Sequence, residues 1–206
     1  MNAGGLHVVT DDEVLARPWF AAMAGSVLAA GGPAVTLHLR GHATSAGRLF
    51  GAAIGLGAAA RDAGARLLVN DRVDIALAAG ADGVQLGWRS LPVERVRGLI
   101  GPRLIGYSAH EAGEAAAAAA AGADFVVIGT IYDTPSHPGR AAGAALVGEA
   151  AAAANVPLVA IGGVTPARVP ELMAAGAAGV AVRGGVWDAA EPAAAVLAFV
   201  RALGAT

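Results

Sequence analysis

Residues 111–129 read EAGEAAAAAAAGADFVVIG. The first part, Glu111–Ala121, has the composition of a helix, because alanine has the highest helix propensity. Gly122-Ala123-Asp124 interrupts it, and glycine is suited to closing a helix in the left-handed conformation. The next run, Phe125–Gly129, is continuously apolar, as a strand covered on both faces should be. Helix, Gly-Ala-Asp turn and buried strand form a unit that recurs outward in both directions. The turn reappears as Gly64-Ala65, Gly80-Ala81-Asp82 and Gly176-Ala177.

Further strand-like runs stand at Leu6–Thr10, Ala34–Leu39, Arg66–Asn70, Gly83–Leu86, Leu104–Ser108, Pro157–Ile161 and Gly179–Val182. Between them lie the helix-competent stretches Ser45–Ala63, Gly143–Ala154 and Pro192–Leu203, and Val93–Ile100 carries apolar residues at helical spacing. The alternation predicts parallel β-α units. Eight of them, with no linker or change of composition, predict one domain over residues 1–206: an α/β protein, a single eight-stranded parallel (β/α)8 TIM barrel. An open doubly wound sheet is the alternative. It would want G-x-G-x-x-G after the first strand, where this chain has Thr10-Asp11-Asp12-Glu13.

The chain has no cysteine, which excludes disulfides, thiolate nucleophiles and cysteine metal sites. It has no lysine either, which removes Schiff-base chemistry. A net charge of −2 without a basic stripe argues against nucleic acid. The first ten residues lack the charged and apolar regions of a signal peptide. Charged residues and glycine break the Ala-rich runs before about 18 apolar residues accumulate, so no membrane association and a cytoplasmic location are expected.

In a barrel of this kind, function sits on the loops that follow the strands. Those loops hold His38, Arg40 and His42; Asn70 and Asp71; Ser108 and His110; Thr130, Thr134, Ser136 and His137; Gly162, Gly163, Val164 and Thr165; and Arg183 and Gly184. The glycines after strands seven and eight point to phosphate binding by backbone N–H groups, with Arg183 adding a charge-assisted contact. Thr165-Pro166 reads as a helix N-cap and first position, adding the helix dipole. Asp71 reads as a cap for the helix near Arg72. Arg40 calls for an anion in the barrel mouth, or else pairs with Asp11 or Asp12. His7 reads as a hydrogen-bonded residue of the barrel interior, whereas the other imidazoles are candidates for proton transfer.

Several pieces, in this order, carry a resemblance: Val8-Val9-Thr10-Asp11, Leu37-His38-Leu39-Arg40, residues 69–76, residues 80–86, residues 105–110, residues 122–125, residues 161–164 and residues 176–182. Together they resemble the thiamine phosphate synthase and thiazole tautomerase superfamily over nearly the whole chain. The resemblance implies a barrel that holds a phosphorylated thiazole on the loops after strands seven and eight. It implies no nucleic-acid or membrane partner, and a homodimer is permitted.

Within the superfamily, the synthase couples a pyrimidine pyrophosphate to thiazole phosphate with magnesium and lysines at the leaving group. This chain departs from that pattern. The usual glutamine is His38, one usual lysine is His42 and another is His137, and the usual Gly-Gln-Glu-Asp is Gly87-Trp88-Arg89-Ser90. These losses favour the tautomerase branch, which needs a phosphate anchor and an acid–base group but no cofactor. On that expectation His137 or His110 moves the proton and Arg40 pairs with the substrate carboxylate. The remaining expected contacts are His38, Asn70, Ser108, Thr130, Thr134, Ser136, Gly162, Gly163, Val164, Arg183 and Gly184. The tautomerase base, however, would stand where this chain has Thr130. The alternatives are the synthase itself, with Mg2+ at Asp71, and a non-catalytic thiazole phosphate-binding protein.

Overall fold

In the computed structural model, which describes residues 4–134 and 138–204, eight parallel strands close in chain order into one barrel. They are β1 Gly5–Val9, β2 Val35–Leu39, β3 Arg66–Asn70, β4 Gly83–Leu86, β5 Leu104–Ala109, β6 Phe125–Ile128, β7 Leu158–Ile161 and β8 Gly179–Val182. β1 pairs with β2 on one side and β8 on the other, which closes the cylinder. The helices are α1 Asp12–Ala16, α2 Phe20–Gly31, α3 Ala46–Ala63, α4 Val73–Ala79, α5 Val93–Ile100, α6 Ala112–Ala120, α7 Ala145–Ala153, α8 Val169–Ala174, α9 Gly184–Trp187 and α10 Pro192–Ala202. The single (β/α)8 barrel expected from the alternation is the fold found. Among the described residues, no helix is long and apolar enough to cross a membrane.

Each strand alternates between two cores. Outward side chains such as Leu37, Val69, Val84, Ile105 and Val180 meet the helices in one large cluster. Inward side chains, Leu68, Leu104, Phe125, Val127, Val159 and Ala181, fill the barrel as a second cluster. Several glycines make room inside. A Cβ on Gly106 would lie 2.1 Å from Gln85 Oε1 and 2.2 Å from Phe125 Cζ. One on Gly83 would lie 2.1 Å from the backbone oxygen of Leu104. The second contact is to a strand backbone that cannot step aside. Gly83→Ala is therefore expected to destabilise the barrel by about 3 kcal/mol, the upper range for overpacking. In thermal denaturation the midpoint should fall by roughly 6–12 °C for a domain of this size.

The barrel interior is not wholly apolar. His7, Thr36, His38 and Gln85 are all buried. His7 Nδ1 and His38 Nε2 share a hydrogen bond of 2.8 Å, and Phe125 packs its ring against both imidazoles. Burial, and then the neighbouring His7, hold the His38 pKa well below the ordinary imidazole value, against a smaller opposing effect of a hydrogen bond with Asn70. Above about pH 6.5 the imidazole is neutral in both folded and unfolded chains, and its contribution to stability is fully present. Below that pH the unfolded chain takes up a proton that the folded chain resists. Stability from this group should then fall by about 1.4 kcal/mol per pH unit. Urea midpoints between pH 7 and pH 5 check this, and His38→Gln should flatten the slope.

Candidate active site

The strands end at one mouth, and local chemistry fixes what stands there. The buried Thr10 ties the first two strand ends together, since its Oγ1 accepts from Arg40 N at 2.8 Å and donates to Arg40 O at 2.9 Å. Arg40 lies two residues beyond the inward-facing His38, so it shares the inward face. The two acidic residues that were candidate partners for it are committed elsewhere. Asp12 accepts from the backbone N–H groups of His42, Ala43 and Thr44 and from the Thr44 hydroxyl. That hydroxyl contact is the first reason its carboxyl is held below the usual range. Asp11 caps α1 through Val14 N and pairs with Arg183. Arg40 makes no ion pair among the described residues.

Arg183 has acidic partners that the sequence did not announce. Its guanidinium meets Asp11, Glu13 and Asp188, joining the β1 and β8 loops. These carboxylates offset part of its charge, and its side chain stays 38% exposed beside Gly184. His38 lies deeper: at 1% exposure it sits beneath the mouth, where it meets His7 and Asn70. Asp71 does not cap α4. It adopts φ 62°, a left-handed conformation that aspartate tolerates, and its Oδ1 accepts from Ser90 Oγ at 2.5 Å. Thr165 precedes the 3-10 turn Pro166–Arg168 but makes no side-chain cap, so the helix expected to start at Pro166 opens as a turn followed by the short α8.

Asn70 and Ser108 stand on the inward faces of β3 and β5, in step with Leu68 and Leu104. Gln85, opposite Asn70 in register, donates from Nε2 to Ser108 Oγ at 2.9 Å. Among the described residues, Asn70 Oδ1 and Gln85 Oε1 are buried without a hydrogen-bond partner. Gln85 was not among the expected site residues. Its signal was a polar side chain inside a four-residue strand covered on both faces. His110 is exposed, and its Nδ1–H donates to the Gly129 carbonyl at 2.7 Å. A carbonyl only accepts, so the neutral ring presents Nε2 as its acceptor. Ser136 and His137 lie outside the described residues.

The loops after β7 and β8 meet. A Cβ on Gly185 would lie 3.7 Å from Val164 O, and one on Gly184 would lie 2.8 Å from Asp188 Oδ2. The N–H groups of Gly163, Val164, Gly184 and Gly185 have no acceptor among the described residues. Gly162 and Gly163 take φ of 104° and 62°, which L side chains rarely adopt. They also lie close to the β6 loop. A Cβ on Gly162 would meet Thr130 Cγ2 at 2.5 Å, and one on Gly163 would meet Asp133 O and Tyr132 Cβ at 2.8 Å. Tyr132 N donates to Gly162 O at 3.0 Å, and Thr130 O accepts from Ala142 N at 3.0 Å. Thr134 follows on the same loop. Unpaired amides beside glycine are the makings of an anion cup.

A family model described as thiamine monophosphate synthase matches residues 6–186. A protein of Methanoculleus marisnigri named thiamine-phosphate synthase is 43% identical over 180 residues, which cover 86% of this chain and 84% of that one. The thiamine biosynthesis bifunctional protein ThiM/ThiE of Symbiobacterium thermophilum is 50% identical over 145 residues. Those are 69% of this chain and 30% of the larger protein, so the chain spans under a third of that relative. The solved thiamine phosphate pyrophosphorylase from Pyrococcus furiosus superposes with a TM-score of 0.86 at 27% identity, covering 98% of this chain and 96% of that one.

These names overturn the expectation of a tautomerase and with it the isomerase class, since the relatives are named as synthases and a pyrophosphorylase. The loss of lysines had been read as loss of the coupling reaction. A match that runs from Leu6 to Val186, through every strand of the barrel and both glycine loops, makes the chain a member of the thiamine monophosphate synthase family.

Proposed function

We propose that this chain is a thiamine-phosphate synthase, a transferase joining a hydroxymethylpyrimidine pyrophosphate to thiazole phosphate with release of pyrophosphate. The observation that supports it most is the 43% identity to the Methanoculleus synthase across most of both chains. In this reading the amides of Gly163, Val164 and Gly184, with the turn begun by Gly162, hold the thiazole phosphate. Asn70 and Ser108 contact the ring substrates from the inward strand faces, and Thr130 and Thr134 border them on the β6 loop. The bond between the pyrimidine methylene carbon and the pyrophosphate oxygen breaks, and the thiazole nitrogen supplies the electron pair of the new C–N bond. Negative charge grows on the departing pyrophosphate, and Arg40 faces it as an unpaired guanidinium, a preformed charge where charge develops.

Magnesium is the metal this family implies. Among the described residues there is no cluster of three or more acidic or histidine ligands. Mg2+ commonly binds through one or two carboxylates, the rest of its shell being water and substrate phosphate, and Asp71 with Ser90 fits that pattern. Asp71 and Ser90 would hold the ion, which when bound neutralises charge on the leaving pyrophosphate. We place the reaction in the cytoplasm, as the sequence suggests.

The test is incubation of the purified protein with both substrates, with and without magnesium, followed by product analysis. Thiamine phosphate and pyrophosphate should appear in equal amounts. No product at saturating magnesium would reject the proposal.

A further inference from the structure

Arg168, in the turn after β7, makes a set of contacts that the proposed chemistry does not use. Its Nη1 donates to the Gly163 carbonyl at 2.6 Å. Its guanidinium carbon lies 4.1 Å from the centre of the Tyr132 ring, a cation–π contact. Tyr132 in turn donates its hydroxyl to Glu171 Oε2 at 2.7 Å. Burial, followed by that carboxylate, raises the phenol to about 12, so the hydroxyl stays a donor throughout the neutral range. Tyr132 also donates its backbone N–H to Gly162 O. Arg168 is thus fixed from beneath by an aromatic face and holds one particular carbonyl.

That carbonyl belongs to the peptide joining Gly163 to Val164. The peptide is trans, so its C=O and N–H point to opposite sides. With Arg168 on the carbonyl side, the Val164 N–H is turned away from it, and among the described residues that N–H has no acceptor. Glycine at 163 would otherwise leave this peptide freer to rotate about ψ, because it lacks the Cβ that restricts the backbone dihedrals.

We propose that Arg168 is a positioning residue: backed by Tyr132 and Glu171, it sets the plane of the 163–164 peptide so that the Val164 amide faces the substrate phosphate. The inference rests on the reading of these loops as the thiazole phosphate site. Arg168 acts from the far side of the peptide and does not touch substrate. A charge-assisted bond to the carbonyl also polarises the peptide, which makes its N–H a stronger donor.

The experiment compares the parent chain with Arg168→Ala and Arg168→Lys, the latter keeping a cation able to reach a carbonyl. Calorimetry with inorganic phosphate should show affinity reduced about tenfold in Arg168→Ala, the loss of one bond to a charged group. Arg168→Lys should recover at least half of that loss on a logarithmic scale. Amide NMR separates orientation from bulk charge. Phosphate should move the Val164 and Gly184 resonances of the parent, and Arg168→Ala should lose the Val164 movement while keeping that of Gly184. In steady-state assays KM for thiazole phosphate should rise by a similar factor, with KM for the pyrimidine substrate and kcat within about twofold. Unchanged phosphate affinity, or equal loss of both resonance movements, overturns the proposal. A protein without turnover would count against the synthase reading, while the phosphate titrations would still decide the role of Arg168.

Discussion

Gly163→Val is expected to raise KM for thiazole phosphate by at least about a hundredfold, ~2.7 kcal/mol of lost binding. Two causes act together. The backbone at this position holds φ 62°, where a β-branched residue is strained by roughly 1–3 kcal/mol. The new Cβ would also stand 2.8 Å from Asp133 O and from Tyr132 Cβ, and the first of these is main chain. Relief of either contact requires the β7 loop to swing from the β6 loop, which carries the Gly163 and Val164 amides with it. Calorimetry with thiazole phosphate, at a temperature where circular dichroism shows the variant folded, measures the effect. Binding within threefold of the parent would show that these amides do not hold the phosphate.

The second large effect is expected at Arg40. Arg40→Ala should lower kcat/KM by a factor of about 10²–10³, or ~3–4 kcal/mol, the scale for removing one preorganised group that meets developing charge. The reason is the accounting of cations around the mouth. Arg183 is surrounded by Asp11, Glu13 and Asp188, and Arg72 is held by Asp74. Arg40 has no such partner among the described residues, and Thr10 fixes its backbone on both sides. Arg40→Lys should restore only part of the activity, because an ammonium cannot reproduce the two-pronged contact of a guanidinium with an oxyanion. A loss below threefold in Arg40→Ala, measured at saturating magnesium, would remove Arg40 from the chemistry.

Much of the scaffold could be read from residue order. β3, β4, β8 and α5 begin and end where the apolar runs and their punctuation put them. Local signals of this kind, glycine breaks and short apolar runs, need no knowledge of distant segments. Other features did need it. The acidic partners of Arg183 were not legible because Asp11 and Glu13 lie 172 and 170 residues away and only closure of the barrel brings them to it, while Asp188 stands five residues on. Asp71 looked like a helix cap until Ser90, 19 residues on, claimed its carboxylate. The depth of His38 was not legible either, because the strand end gives its place along the barrel but not its burial against His7. The misreading of the reaction has a similar source. Missing lysines were weighed one by one, whereas the mouth keeps the Arg40 guanidinium, without an ion pair among the described residues, the Asp71 carboxylate and the free amides of two glycine loops.

A phosphate grip made of main-chain N–H groups, as proposed for these loops, has an unusual vulnerability. No side chain has to be present at residues 162–163 or 184–185, so nothing there can be oxidised, titrated or exchanged for a weaker cation. Damage at those positions comes from addition, most directly at residues 162 and 163, where a Cβ would stand 2.5 Å from Thr130 Cγ2 and 2.8 Å from Asp133 O. For anyone altering this protein, Gly162 and Gly163 are therefore best left as they are, and charge changes meant to shift what the cup accepts belong on the rim away from Arg40 and Arg168.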